Sequence, residues 1–76
     1  MKPFVRFKVQ EGESTRFRVK NRQNPELFVT YSSVLQILET TDNNGNLCWE
    51  LCHSNGETST FPISEWRLMH ETFTDI

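Results

Sequence analysis

Two Asn-Gly dipeptides, Asn44-Gly45 and Asn55-Gly56, stand close together in this 76-residue chain, the first between apolar runs and the second after an alternating one. Asn-Gly between alternating runs is the strongest short-range hairpin signal, because both residues tolerate the left-handed backbone that a tight reversal needs. Leu47, Trp49 and Leu51 alternate with Cys48, Glu50 and Cys52 between the two turns, and residues 57–61 follow the second. Two such turns in succession predict a β-meander. Composition points the same way: alanine, the best helix former, is absent, whereas six Phe, two Trp, one Tyr and many Thr and Val favour strands.

The N-terminal third repeats the alternation. Val5, Phe7 and Val9 are out of phase with Phe4, Arg6 and Lys8, and Phe17 and Val19 are out of phase with Arg16, Arg18, Lys20 and Arg22. Residues 10–14, with Gly12 free to take a positive φ, supply a loop between them. The expected arrangement is a hairpin with Phe7 opposite Phe17 and Val5 opposite Val19. The same register sets Lys8 against Arg16 and Arg6 against Arg18. Residues 21–25 read as a loop ending in Pro25, and residues 27–31 as a short third strand. Residues 34–41 are read as a strand leading into the first Asn-Gly turn; the alternative is a helix, with Ser33 and Gln36 as a capping box. Pro62 suits the first position of a single helical turn over residues 62–65, and residues 66–71 fit either a closing strand or a short helix.

The expected fold is therefore mostly β, with five or six short antiparallel strands and one helical turn in a single domain over residues 1–76. The alternative is α+β, with a helix near residues 33–41. The strand layout over residues 34–69 resembles the small barrels of the SH3-like and Tudor-like class. That resemblance implies a small barrel and names no function, since such folds host many. A chain of this size buries only roughly 60% of its unfolded surface, so a second copy or a partner would help to stabilise it. No run approaches the ~20 apolar residues of a membrane span, and the first residues are charged, so a cytoplasmic protein with no membrane contact is expected. Cys48 and Cys52, if on one strand, lie roughly 13 Å apart, beyond disulfide reach, and read as buried thiols.

Charge is the most informative pattern. Seven of the eight Lys and Arg residues (Lys2, Arg6, Lys8, Arg16, Arg18, Lys20 and Arg22) fall in the first 22 positions beside two of the ten acids, leaving Arg67 against the other eight. Like charges opposed across a hairpin destabilise it unless something negative neutralises them. One candidate is internal: a tight turn at Asn44-Gly45 would oppose Glu39 and Glu50, giving an acidic pair to balance the basic ones. Among external partners, a protein contacting Arg6, Lys8, Arg16, Arg18, Lys20 and Arg22 is ranked first. Nucleic acid on the same residues, with Phe4 or Phe28 stacking on a base, is the alternative, held back by the overall charge of −2. A homodimer is a third reading, with Phe73 in the tail docking on a second copy.

No catalytic motif frames the serines, histidines and carboxylates, and no cofactor is expected. Cys48, Cys52 and His53 alternate across a strand and cannot converge on one metal ion. His53 and His70 are expected to be solvated, and Trp49 and Trp66 to fill the core. A non-enzymatic binding module is the resulting expectation.

Overall fold

The computed structural model describes residues 3–72 and 75–76, so Lys2 and Phe73 lie outside the described residues. Six strands form: β1 (Phe4–Lys8), β2 (Thr15–Asn21), β3 (Phe28–Thr41), β4 (Leu47–His53), β5 (Thr58–Pro62) and β6 (Trp66–Met69). All pair antiparallel in one sheet of order β5-β4-β3-β2-β6, with β1 also on β3. There is no helix among the described residues. The stretch over residues 33–41 is strand, and the stretch from Trp66 is a closing strand on β2. Residues 62–65 make a reverse turn closed by Glu65 N–H donating to the Pro62 carbonyl (3.1 Å), in place of the expected turn of helix.

The two strands expected at 27–31 and 34–41 are one. Ser32 and Ser33 neither break a strand nor block hydrogen bonding, so β3 runs on for 14 residues. It bends instead: its pairing with β2 shifts by one residue between Thr15 and Phe17, and its pairing with β4 shifts between Val34 and Gln36. Bulges of this kind kink a strand and increase its twist.

The N-terminal hairpin does not form. β1 and β2 both pair with β3, one after the other along the same edge. Val9 N–H donates to the Leu35 carbonyl (3.0 Å), and Thr15 lies opposite Val34, the next residue along β3. Residues 10–14 are thus an excursion from an almost continuous edge. Electrostatics favours this outcome, because the hairpin would have opposed Arg and Lys to one another. In the observed register Lys8 faces Gln36, Arg18 faces Thr30 and Lys20 faces Phe28 across to β3. Phe7 and Phe17 still meet edge-on, with ring centroids 5.0 Å apart, because both point into the core where the two strands abut.

The first Asn-Gly turn is also longer than a two-residue reversal. Asp42 N–H donates to Asn46 C=O (2.9 Å) and Gly45 N–H to Asp42 C=O (3.0 Å), with Gly45 at φ 83°. This is a turn followed by a left-handed glycine, and it shifts the register by one. Leu38, not Glu39, is therefore opposite Glu50, and Glu39 is opposite Trp49. The expected Glu39–Glu50 pair is absent, and the two carboxylates lie on opposite faces of the sheet. The Asp42 carboxylate holds the turn, accepting from the backbone N–H groups of Asn44 (2.8 Å) and Asn46 (2.9 Å). These bonds, that from Asn46 foremost, hold its carboxyl below the ordinary carboxylate range.

β5 and β6 sit at opposite ends of the sheet order, yet only three residues separate them in the chain. The sheet must coil to bring its ends together, and Phe61 and Trp66 meet there with centroids 5.4 Å apart. No β5–β6 ladder forms, so the sheet is coiled but not closed. Phe17, Val19, Val34, Ile37, Trp49, Leu51 and Leu68 are buried together, with Phe7, Tyr31, Phe61, Ile63 and Trp66 packed around them.

Two consequences can be measured. Leu51→Ala removes a side chain with no exposure and should lower the unfolding free energy by about 2–5 kcal/mol in a urea titration. Ser64→Ala, on the exposed turn, should stay within about 0.5 kcal/mol. Asp42→Ala should lower the melting temperature at neutral pH. Because the folded carboxyl titrates lower than the unfolded one, its stabilisation is present above the ordinary Asp value of about 4 and is lost as pH falls through the folded value. Thermal melts across that range should show the gap between Asp42→Ala and the wild type narrowing toward acid.

Candidate functional site

Alternation along β2 turns Phe17 and Val19 inward and leaves Arg16, Arg18 and Lys20 on the outer face. Residues directly opposed on neighbouring strands share a face, so two cross-strand rows follow. One is Thr30, Arg18 and Met69; the other is Phe28, Lys20 and Arg67. The Arg18 side chain leans toward β3. Its Nε–H donates to Thr30 Oγ1 (3.3 Å), and its guanidinium lies 4.2 Å from the Phe28 ring centroid. Such a cation–π contact contributes about 0.5–1 kcal/mol at an exposed site and fixes where the charge sits. Arg67 pairs with Asp75, whose backbone bridges to Met69, so that cation is partly neutralised within the chain. Lys20 makes no ion pair among the described residues.

The other expected contact residues divide. Arg16 lies at the shift between β2 and β3, next to this face. Arg22 is held by the fold: its Nε–H donates to the Ile63 carbonyl (2.8 Å) and its backbone N–H to the Glu65 carbonyl (2.9 Å), clasping the β5–β6 turn. Arg6 lies at the β1 shift, 5.9 Å from the Phe4 centroid. Lys8 faces Gln36 and lines an open groove of about 620 Å³ with Val9, Gly12, Leu35 and Cys52. Lys8 and Arg18 are opposite β3 residues six apart, about 20 Å along a strand. The six cations therefore form a long broken line, and only Arg18 and Lys20, flanked by Arg16, gather on one face.

Arg67, Met69 and Thr30 belong to that face and were not expected there. The signal was partial: inward Leu68 sets Arg67 and Met69 outward, but nothing local says that their strand joins β2. Beside the two rows, Leu27, Phe28 and Val29 are 55%, 48% and 42% exposed in succession. The basic face thus carries exposed Phe28, while Leu27 and Val29, on either side of it in the chain, are exposed on the reverse face.

The histidines are not simply solvated. His53 Nε2 lies 2.8 Å from Ser59 Oγ, and its ring sits against Tyr31 at 4.8 Å. His70 packs on Phe7 and Phe17 at 5.3 and 5.0 Å and lies 3.3 Å from Thr15 Oγ1. Both are half-buried and packed on aromatic rings of the core margin. Trp49 is buried as expected, and its indole N–H has no acceptor among the described residues. Among the described residues no three His, Cys, Asp or Glu side chains are placed to hold a metal ion.

The cysteines are free thiols of unequal exposure. Cys48 is 2% exposed and donates to the Asn46 carbonyl (3.5 Å); burial pushes its thiol up, and the Asp42 charge adds to this. Cys52 is half-buried beside Gln36. Comparison with protein-family models, with curated proteins and with solved structures finds no match.

A thiol-reactive reagent should accordingly label Cys52 at least about tenfold faster than Cys48, with the two rates converging in denaturant. Equal rates in the native protein would contradict the burial of Cys48.

Proposed function

We propose that the protein is a non-enzymatic binding module, a small barrel of SH3-like layout, that contacts a protein partner through the outer face of β2. The observation that carries this reading is the union of Arg18 and Lys20 with exposed Phe28 on one face, at a strand start where Val29 is also exposed on the reverse face. Protein interfaces are enriched in aromatic residues and Arg, with an apolar centre and a charged rim. The overall charge of −2 counts against a track for phosphates. The barrel assignment is supported by the strand order, in which the two outermost strands are consecutive in the chain and the sheet coils between them. Free thiols suit a reducing compartment, in keeping with action in the cytoplasm.

A second reading has its own support. Phe28 is exposed in a row with Lys20 and Arg67, and an aromatic among cations is also how single-stranded nucleic acid is held. Titrations of single- and double-stranded DNA and RNA at two salt concentrations separate the two. The variant with Arg16, Arg18 and Lys20 changed to glutamine serves as control. Weak or absent binding is expected. Tight binding that falls steeply with salt and is lost in the variant would replace the protein partner with nucleic acid. A melting temperature that rises with protein concentration would instead favour self-association.

A further inference from the structure

The first part of β3 has a free edge. Asn21 N–H donates to the Leu27 carbonyl (2.9 Å), and hydrogen-bonded pairs recur at every second residue of an antiparallel ladder. In this register Val29 and Tyr31, opposite Val19 and Phe17, therefore bond to β2. The N–H and C=O groups of Phe28, Thr30 and Ser32 point the other way. On that side β4 begins to pair only at Val34, and the adjoining contact is Ser54 N–H to the Ser33 carbonyl (2.9 Å). No strand of the described residues lies beside Phe28, Thr30 and Ser32 on that side.

Natural sheets blunt such edges with charges, bulges, proline or a covering segment. The other edges here do so. β1 carries Arg6 at a register shift, β5 ends in Pro62, and Asp75 and Ile76 lie along β6. The stretch from Phe28 to Ser32 is uncharged, rich in β-favouring residues and exposed at Phe28 and Thr30.

We infer that this edge takes an extended segment of the partner protein as an added strand, and that the segment carries carboxylates on alternate residues. The inference rests on the binding-module reading above and names the partner's chemistry. An added strand's residues opposite Phe28 and Thr30 lie on the outer face, where the Arg18 guanidinium has crossed over Phe28 and Lys20 stands one strand further in. Carboxylates at those positions meet both cations. The intervening residues turn toward Tyr31 and a shallow groove of about 410 Å³ bordered by His53, Asn55 and Ser59. A second copy is a poorer occupant: its β3 offers Phe28, Thr30 and Ser32 outward, no carboxylate, and brings a second Arg18 toward the first.

The probe is a blocked fluorescent heptapeptide of alternating Glu and Thr, tested with two versions N-methylated on all Glu or on all Thr. Affinity is measured by anisotropy, and the amide resonances of Phe28, Thr30 and Ser32 are followed by NMR. Strand addition uses the backbone of one alternate set only, so one methylated peptide should bind like the parent and the other at least tenfold more weakly. The three amides should shift with the parent peptide. Thr30→Pro, which removes an N–H that β2 does not use, should weaken binding at least tenfold, as should Arg18→Gln with Lys20→Gln; melting curves check that each variant is folded. Equal binding of all three peptides with those amides unmoved overturns the added strand, and loss in the Arg18/Lys20 variant would then leave the basic-face reading standing. No binding of the parent peptide overturns the inference. Self-association abolished by Thr30→Pro overturns it in favour of a second copy, and salt-steep oligonucleotide binding at Arg18 and Lys20 removes both readings together.

Discussion

Backbone pairing along β3 is the constraint on which the rest of the structure depends. Its residues from Gln36 to Glu39 hydrogen-bond to β4 on one edge and β1 on the other, while its first half carries β2. β5 and β6 reach it only through β4 and β2. A straight strand of this length would splay those two groups apart and leave two half-buried apolar faces. The shifts near Arg16 and Leu35 bend it, so Phe17 and Val19 from one half pack with Ile37, Trp49 and Leu51 from the other. The core exists because the spine is bent. The three-residue link between β5 and β6 can close the path only around that bend.

Much of this was legible in the chain. Alternation identified β1, β2 and β4, because a period of two with Phe, Val, Leu and Trp on one side reflects half-buried sheet directly. The Asn-Gly turns pointed to β5 and the second half of β3, and residues 66–71 stayed open between strand and helix. What failed was pairing. Hairpins are the default for neighbouring strands, but β1 and β2 each find a better partner in β3, where Gln36 stands opposite Lys8 and Thr30 opposite Arg18 in place of opposed cations. That competition is settled by residues distant in sequence. The register at Asp42 failed for a local reason: Asn-Gly suggests a two-residue reversal, while Asp42 accepts two backbone bonds and so favours the longer turn. A one-residue shift then moved Glu39 to the opposite face from Glu50.

The candidate site was legible to a similar depth. That Arg18 and Lys20 face outward follows from the phase of Phe17 and Val19. Which cations they join depends on the strand that lands beside β2, and β6 supplies Arg67 while β1, with Arg6 and Lys8, is carried away along β3. Arg22 has the composition of a contact residue and the bonds of a clasp, a distinction only the position of Ile63 could make. The histidines were misjudged because sequence shows a turn beside His53 and a tail beside His70, but not the aromatic rings that coiling folds over them.

The free edge arises from a mismatch of lengths. β3 runs for 14 residues and β4 for seven, so β4 cannot accompany β3 past Val34. What stops β4 is the turn after His53, where His53 N–H bonds to Glu57 C=O and Gly56 adopts φ 89°. A β4–β5 hairpin longer by a few residues would have covered Thr30, so it is the position of this turn that leaves the edge open. The cost falls on Phe28, Val29 and Thr30, and Arg18 meets part of it by laying its guanidinium over the Phe28 ring and bonding to Thr30. The same side chain that shields the exposed aromatic thus carries a positive charge to the rim of the unpaired backbone, which ties edge and charge into one surface.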